Sequence, residues 1–256
     1  MLIHLPAARA VARVDSTHAV AQQQVRVARF LEQRDVPAVR LLDPLAQPVV
    51  TDGVAVTLWR WLDILPRQAT AAELGRLARR LHTQTTNAPA TIAAVDPLTI
   101  AQHALQADHG MGDLSDLSER LALLRSRWPA LLAADPLGEV LTHGDLHTEN
   151  VAWTADGPVL LDLEMSGRGP PSWDLIPQRT RTRRYGGDAE WCRQFEEGYG
   201  TAIGTWAGTE LLREAYELML ALWAIEHRGR SPALAAEATL RLASMRGATE
   251  RVWTLL

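Results

Sequence analysis

Apolar positions in the first 60 residues alternate or fall in short blocks, whereas after Pro66 they recur at helical spacing. Ala10-Val11-Ala12-Arg13-Val14 reads as a short strand. Ser16 or Thr17 can cap a helix running to about Arg34, and Asp35-Val36-Pro37 ends it. On that helix Val20, Gln24, Val27 and Leu31 fall on one inward stripe, so Gln24 is the polar residue turned to the interior. Short strands are expected at 39–42, 48–50 and 54–59, with Asp52-Gly53 as a hairpin turn. Thr70-Ala71-Ala72-Glu73 is a capping box, opening a helix with Leu74, Leu77, Ala78 and Leu81 on one stripe. Further helices are expected at 98–107, 114–127, 189–202, 210–227 and 232–246. In the helix at 210–227, Ala215, Leu218, Met219, Leu222 and Ile225 form the buried face. Strands at 151–153 and 159–161 are joined by Ala155-Asp156-Gly157. The pattern is that of an α+β chain with a short β-rich lobe at 1–61 and a mainly helical lobe at 62–256.

Composition narrows the function. The 256 residues are 47% hydrophobic and 22% charged, ordinary for a soluble globular protein with a good core. No stretch approaches 18 uninterrupted apolar residues, so no membrane span is expected, and the start lacks the pattern of a secretory signal. The one cysteine, Cys192, excludes an internal disulfide and fits a cytoplasmic protein. All 26 basic residues are arginine, which excludes lysine-dependent chemistry, including Schiff bases and a Walker-type phosphate loop. A net charge of −4 argues against nucleic acid as partner.

The chemistry concentrates in His143-Gly144-Asp145-Leu146-His147-Thr148-Glu149-Asn150, followed by Leu160-Leu161-Asp162-Leu163-Glu164. An Asp, an Asn five residues on, and a second Asp ending an apolar run have the spacing of a phosphoryl-transfer site. Asp145 can accept the proton of an attacking hydroxyl, while Asn150 and Asp162 offer hard oxygen ligands to Mg²⁺. Gly144 permits an unusual backbone angle in the turn, and His143 braces the loop. A competing assignment uses His143, Asp145, His147 and Asp162 as transition-metal ligands of a hydrolase, which Asn150, a poor zinc ligand, opposes.

Together with Pro171-Ser172-Trp173-Asp174-Leu175, these motifs resemble the aminoglycoside phosphotransferase and choline kinase family, and the likeness extends more loosely over the whole chain. The resemblance implies a two-lobed protein-kinase-like fold and transfer of the γ-phosphate of ATP, or of GTP, to a hydroxyl of a small molecule. Asp145 would be the catalytic base, Asn150 and Asp162 the Mg²⁺ ligands, and Asp174 a buried acid bracing the catalytic loop. Glu164 would be a further carboxylate on the metal side or face solvent. Arg13, on the strand that carries the family's basic residue, would contact the α- and β-phosphates, or else is a surface arginine. Gln24 stands where the family has a glutamate, and can accept a hydrogen bond from Arg13 without supplying charge. The adenine would meet backbone groups around Leu58, Trp59 and Arg60, with Trp59 or Trp61 close by or packed in the core.

About ten residues precede the Arg13 strand, too few for a complete strand-loop-strand over the phosphates, and 2–5 reads as the remnant of its second strand. Either the start lies upstream or nucleotide is bound weakly; a non-catalytic ligand-binding relative is the alternative function. Between 188 and 228, eight acidic residues face three arginines. That surplus suits a cationic acceptor such as an aminoglycoside or another hydroxylated antibiotic or metabolite, unless it is a solvated helix face. Glu226 and His227 are candidate acceptor contacts. Arg179, Arg181, Arg183 and Arg184 work against a purely cationic acceptor, and read as a phosphate-holding cluster or an exposed loop.

Overall fold

The computed structural model describes residues 1–15, 17–51, 53–106, 110–202 and 206–254. Strands β1 (Leu2–Leu5), β2 (Ala10–Asp15), β3 (Val49–Thr51) and β4 (Val54–Arg60) form an antiparallel sheet in the order β1-β2-β4-β3. Helix α1 (His18–Gln33) follows β2. Thr17 caps it, its hydroxyl accepting from the Val20 N–H at 3.3 Å; Ser16, the other expected cap, and Asp52 of the expected turn lie outside the described residues. Gln24, Val27 and Leu31 are buried as their spacing predicts, but Val20 is 39% exposed. The inward stripe begins one residue later, at the fully buried Ala21.

The segment expected as a strand at 39–42 is instead a crossing between two sheets. At one end the Val39 N–H donates to the Leu160 carbonyl and the Leu160 N–H to that of Pro37, both at 2.9 Å. At the other, the Leu42 N–H donates to Leu58 and the Arg60 N–H to Arg40, both at 2.8 Å. Too short to pair along its whole length with either neighbour, it pins the small sheet to the body below.

The helical part begins with α2 (Ala71–Gln84), α3 (Pro97–Gln106) and α4 (Ser115–Ala133). The capping box of α2 is complete: Thr70 N–H donates to Glu73 at 2.9 Å, and Glu73 N–H to the Thr70 hydroxyl at 3.4 Å. Ala107, at the expected end of α3, lies outside the described residues. Next come β5 (Val140–Thr142), the hairpin of β6 (Val151–Thr154) and β7 (Gly157–Leu160), and β8 (Gly167–Gly169), which pairs antiparallel with β5. Helix α5 (Pro171–Arg184) was not legible as a helix, because residues 171–178 are buried on every side and leave no amphipathic stripe. Pro177 inside it adds a helix-breaking signal that burial overrides. Helices α6 (Ala189–Tyr199), α7 (Thr209–His227) and α8 (Pro232–Met245) close the chain. Helix α6 stops before the expected 202 because Gly200 takes a left-handed conformation, φ 86°.

Two cores result. One joins α1, the 36–41 crossing, Trp59, α2, Leu141, Leu146, the β6–β7 hairpin and α6; the other gathers α3, α4, Trp173, α7, α8 and Trp253. The expected division after residue 61 falls just beyond β4, and the first core runs across it. No helix among the described residues is long and apolar enough to cross a membrane.

Candidate active site

The 143–150 loop leaves β5 and enters β6, so both its ends are fixed by strands. Its first turn is organised by Asp174, one turn into α5 and fully buried. The two Asp174 oxygens accept the N–H groups of His143 at 2.7 Å and Gly144 at 2.8 Å, and the His82 ring nitrogen Nε2 at 3.0 Å. His82 in turn meets the Tyr199 hydroxyl through Nδ1 at 3.0 Å. Gly144 has φ +87°, and a Cβ there would come within 2.1 Å of the Met165 carbonyl oxygen, so this turn requires glycine. Trp173 donates its indole N–H to the Gly144 carbonyl at 3.1 Å. Sequence reasoning missed His82, Tyr199 and Trp173; the one available signal was His82 lying four residues from Ala78 on the apolar stripe of α2.

His143 braces the loop, with Nε2 on the Leu161 carbonyl at 2.7 Å and Nδ1 accepting the Asp145 N–H at 3.4 Å. Both ring nitrogens are thereby used, which removes His143 from the expected transition-metal set. Among the described residues, no group of three or more His, Cys, Asp or Glu is placed to hold a metal ion.

Asn150 donates to the Asp145 carbonyl at 2.9 Å and to the Asp145 carboxylate at 3.3 Å, with His147 Nε2 also 3.3 Å from that carboxylate. Burial works to raise the Asp145 carboxyl, but the hydrogen bond and charge of His147, with His143 and Asn150, hold it below the ordinary range. His147, set between Asp145 and Glu149, is raised despite its burial. Asp145 is therefore a poised carboxylate at neutral pH. Asp162 ends the run after β7 in a left-handed conformation, φ 46°. The Asn150 carbonyl accepts the Leu161 N–H at 2.9 Å, next to Asp162, and the Asn150 and Asp162 side chains offer hard oxygen donors whose chemistry fits Mg²⁺.

Arg13 reaches across from β2. Its Nη1 donates to Asp162 at 2.9 Å, its Nη2 to Glu164, and its Nε to Asp15 at 2.9 Å. Burial lowers the guanidinium's affinity for its proton, but Asp15, Glu164 and Asp162 together raise it. Burial and the Asp162 charge push the Glu164 carboxyl up, with Arg13 opposing. Gln24 does not accept from Arg13 as expected; its amide donates to Asp15 at 3.2 Å, because Asp15 lies between them.

The chain matches the model of the phosphotransferase enzyme family over residues 2–213. It belongs to that family. The phosphotransferase is similar in fold to a choline/ethanolamine kinase family protein from Mesorhizobium loti, with TM-score 0.62 and 20% identity over 96% of this chain and 84% of that one. It is also similar to the aminoglycoside phosphotransferase APH(3'')-Id from Streptomyces rimosus, crystallised with ADP and streptomycin (TM-score 0.60, 21% identity, 82% and 87% covered). A third is the amicoumacin kinase hAmiN in complex with AMP-PNP, Ca²⁺ and Ami (TM-score 0.63, 14% identity, 96% and 84% covered). No curated protein matches the chain by sequence. The two-lobed kinase-like fold and a phosphotransferase with a hydroxyl acceptor, both expected from the motifs, are thus what this chain is.

Other expected contacts of the phosphotransferase fall elsewhere. Leu58 and Arg60 have their backbone groups engaged: the Leu58 N–H by Gln47 at 2.6 Å, its carbonyl by Leu42, and the Arg60 N–H by Arg40. Trp59 is buried, its indole N–H on Thr57 at 2.9 Å, so it is core packing. Those N–H groups are thus not free to meet adenine; Trp61, stacked on His4 at 4.1 Å, and the extended 61–65 run line an open cavity of about 400 Å³. The arginine cluster is the tail of α5 rather than a loop: Arg184 donates to Glu217, Arg179 pairs with Glu196 at 3.5 Å, and Arg181 lies over Trp191. The acidic surplus is partly offset by arginines from outside the stretch, with Arg120 on Glu214, Arg179 on Glu196 and Arg184 on Glu217, while Arg193 and Arg213 pair within it. Glu226 and His227 lie ten and eleven residues beyond the buried Tyr216 on α7, about 15 Å further along its axis.

Proposed function

We propose that this chain is a Mg²⁺-dependent small-molecule kinase of the cytoplasm. It moves the γ-phosphate of ATP, or of GTP, to a hydroxyl of an aminoglycoside-like or other hydroxylated antibiotic or metabolite, and so can confer antibiotic resistance. The observation that carries this reading is the Asp145–Asn150 pair, locked by Asp174, with the Asn150 carbonyl bonded to Leu161 beside Asp162, which Arg13 clasps from β2. Residues 1–61 serve as the nucleotide-facing lobe, and 62–256 supply the catalytic loop and the acceptor side.

Mg²⁺, when held by Asn150 and Asp162, supplies charge neutralisation at the phosphates. The rest is done by the chain. Asp145 receives the proton of the acceptor hydroxyl as its oxygen bonds to the γ-phosphorus and the bond to the nucleoside diphosphate breaks, the electron pair leaving with the diphosphate. Asn150 and His147 hold the Asp145 carboxylate in the orientation that accepts it, and Arg13 offers terminal N–H groups to the phosphates. Because outside arginines offset part of the acidic surplus, the argument for a cationic acceptor is weakened and the acceptor is defined by its hydroxyl.

Asp145→Ala tests the reading. Turnover should fall by at least about a hundredfold, the lower end of what a positioned base contributes. Calorimetric affinity for Mg·ATP should stay within about twofold, since Asp145 faces the acceptor. Equal losses in both would sink the base assignment.

A further inference from the structure

Arg13 is gripped by three carboxylates, and they are not equivalent. Asp162 and Glu164 are nearly half exposed at the cleft, whereas Asp15 is 7% exposed within the small sheet. Arg13 and Asp15 stand two apart on β2 and share one face of the strand. The Asp15 oxygen Oδ1 accepts both Arg13 Nε and Gln24 Nε2, while Oδ2 is buried without a hydrogen-bond partner among the described residues. The charge of Asp15 is thus committed to the root of the guanidinium, leaving the two terminal nitrogens free to change partners. Three carboxylates around one arginine leave a local excess of two negative charges, so Asp162 and Glu164 can turn to an incoming cation without stranding Arg13.

Resting on the kinase reading above, we propose that Asp15 is the positioning residue for Arg13. It supplies from the same strand the charged partner that the following helix, with Gln24, does not. Gln24 fixes Asp15 rather than touching Arg13, so the anchor is an Arg–Asp–Gln relay within one lobe. It stays in place when the carboxylates of the other lobe are drawn away.

The test is calorimetric titration of ADP and of adenosine into the wild type, Asp15→Ala, Asp15→Asn and Asp15→Ala/Gln24→Glu. Asp15→Ala should weaken ADP about tenfold, the scale of one charge-assisted hydrogen bond, and leave adenosine unchanged. Asp15→Asn, which keeps the side chain's shape, should move ADP affinity the same way and covers a folding failure of the alanine variant. Gln24→Glu should recover most of the loss by returning a carboxylate from the helix. ADP bound equally well by the wild type and both Asp15 variants overturns the relay and leaves the kinase reading standing. Equal losses for ADP and adenosine also overturn it, since Asp15 would then merely support the strand. A wild type that binds no ADP overturns both.

Discussion

Asp174 is met by two backbone amides of the catalytic loop and by a histidine ring. The ring's other nitrogen meets the Tyr199 hydroxyl at 3.0 Å, so both ring nitrogens and both Asp174 oxygens have a partner. Asp174→Asn breaks this symmetry, because its NH₂ must face a donor whichever way the amide turns. The expected cost is about 2–3 kcal/mol, one buried donor left unmet, read from urea unfolding. Turnover should fall further than nucleotide affinity, since the loop that moves carries Asp145. An unchanged midpoint would mean that the loop N–H groups find other acceptors. At this scale Asp145, Asn150, Asp162 and Asp174 were legible because the chain carries them in short, ordered motifs. Asp15 and His82 were not. His82 works on a carboxylate 92 residues away, and Asp15 reads in sequence as an ordinary strand-end acid.

Helices α2 and α6 place the His82–Tyr199 pair, and they meet backbone to backbone. A Cβ on Gly75 would lie 2.2 Å from the Phe195 carbonyl oxygen, and one on Gly198 would lie 2.2 Å from that of Ala72. Two opposing effects decide what alanine does there. Higher helix propensity gains up to about 1 kcal/mol, whereas overpacking against backbone that cannot yield costs about 1–3 kcal/mol. The clash should win, so Gly75→Ala and Gly198→Ala each lower stability by about 1–2 kcal/mol in urea unfolding. A rise in the midpoint would show that the helices stand apart. Elements with a stripe, joined by a cap in α1 and α2 and standing alone in α7, were readable from the chain. The elements that build the site were harder: β5 and β8 are three-residue strands, and α5 is buried all round. Tertiary packing, not local pattern, makes them.

In the whole molecule, the small sheet is tied to the helical body by the 37–42 crossing, by Gln23 on Ser166 at 3.1 Å, and by Arg13 on Asp162 and Glu164. The first two ties involve none of the proposed metal ligands. If Asp162 holds Mg²⁺ as proposed, the third would compete with the metal for that carboxylate. On the proposed kinase reading, metal and nucleotide would be taken up together, Asp162 leaving Arg13 for the metal and Arg13 turning its terminal N–H groups to the phosphates. Thermal unfolding reads this directly. Mg·ATP at a hundred times its dissociation constant should add about 2.7 kcal/mol to stability. ATP without metal should add less, because Arg13 must then leave Asp162 uncompensated. In Asp162→Ala the metal-dependent part should vanish, while a metal-free response persists or grows, since Arg13 has one carboxylate fewer to leave. If Mg²⁺ dependence survives in that variant, the metal is held elsewhere and the role given to Asp162 fails. If the wild type gives no shift with either nucleotide, the Arg13 clasp keeps the cleft closed to phosphates, and the non-catalytic alternative takes its place.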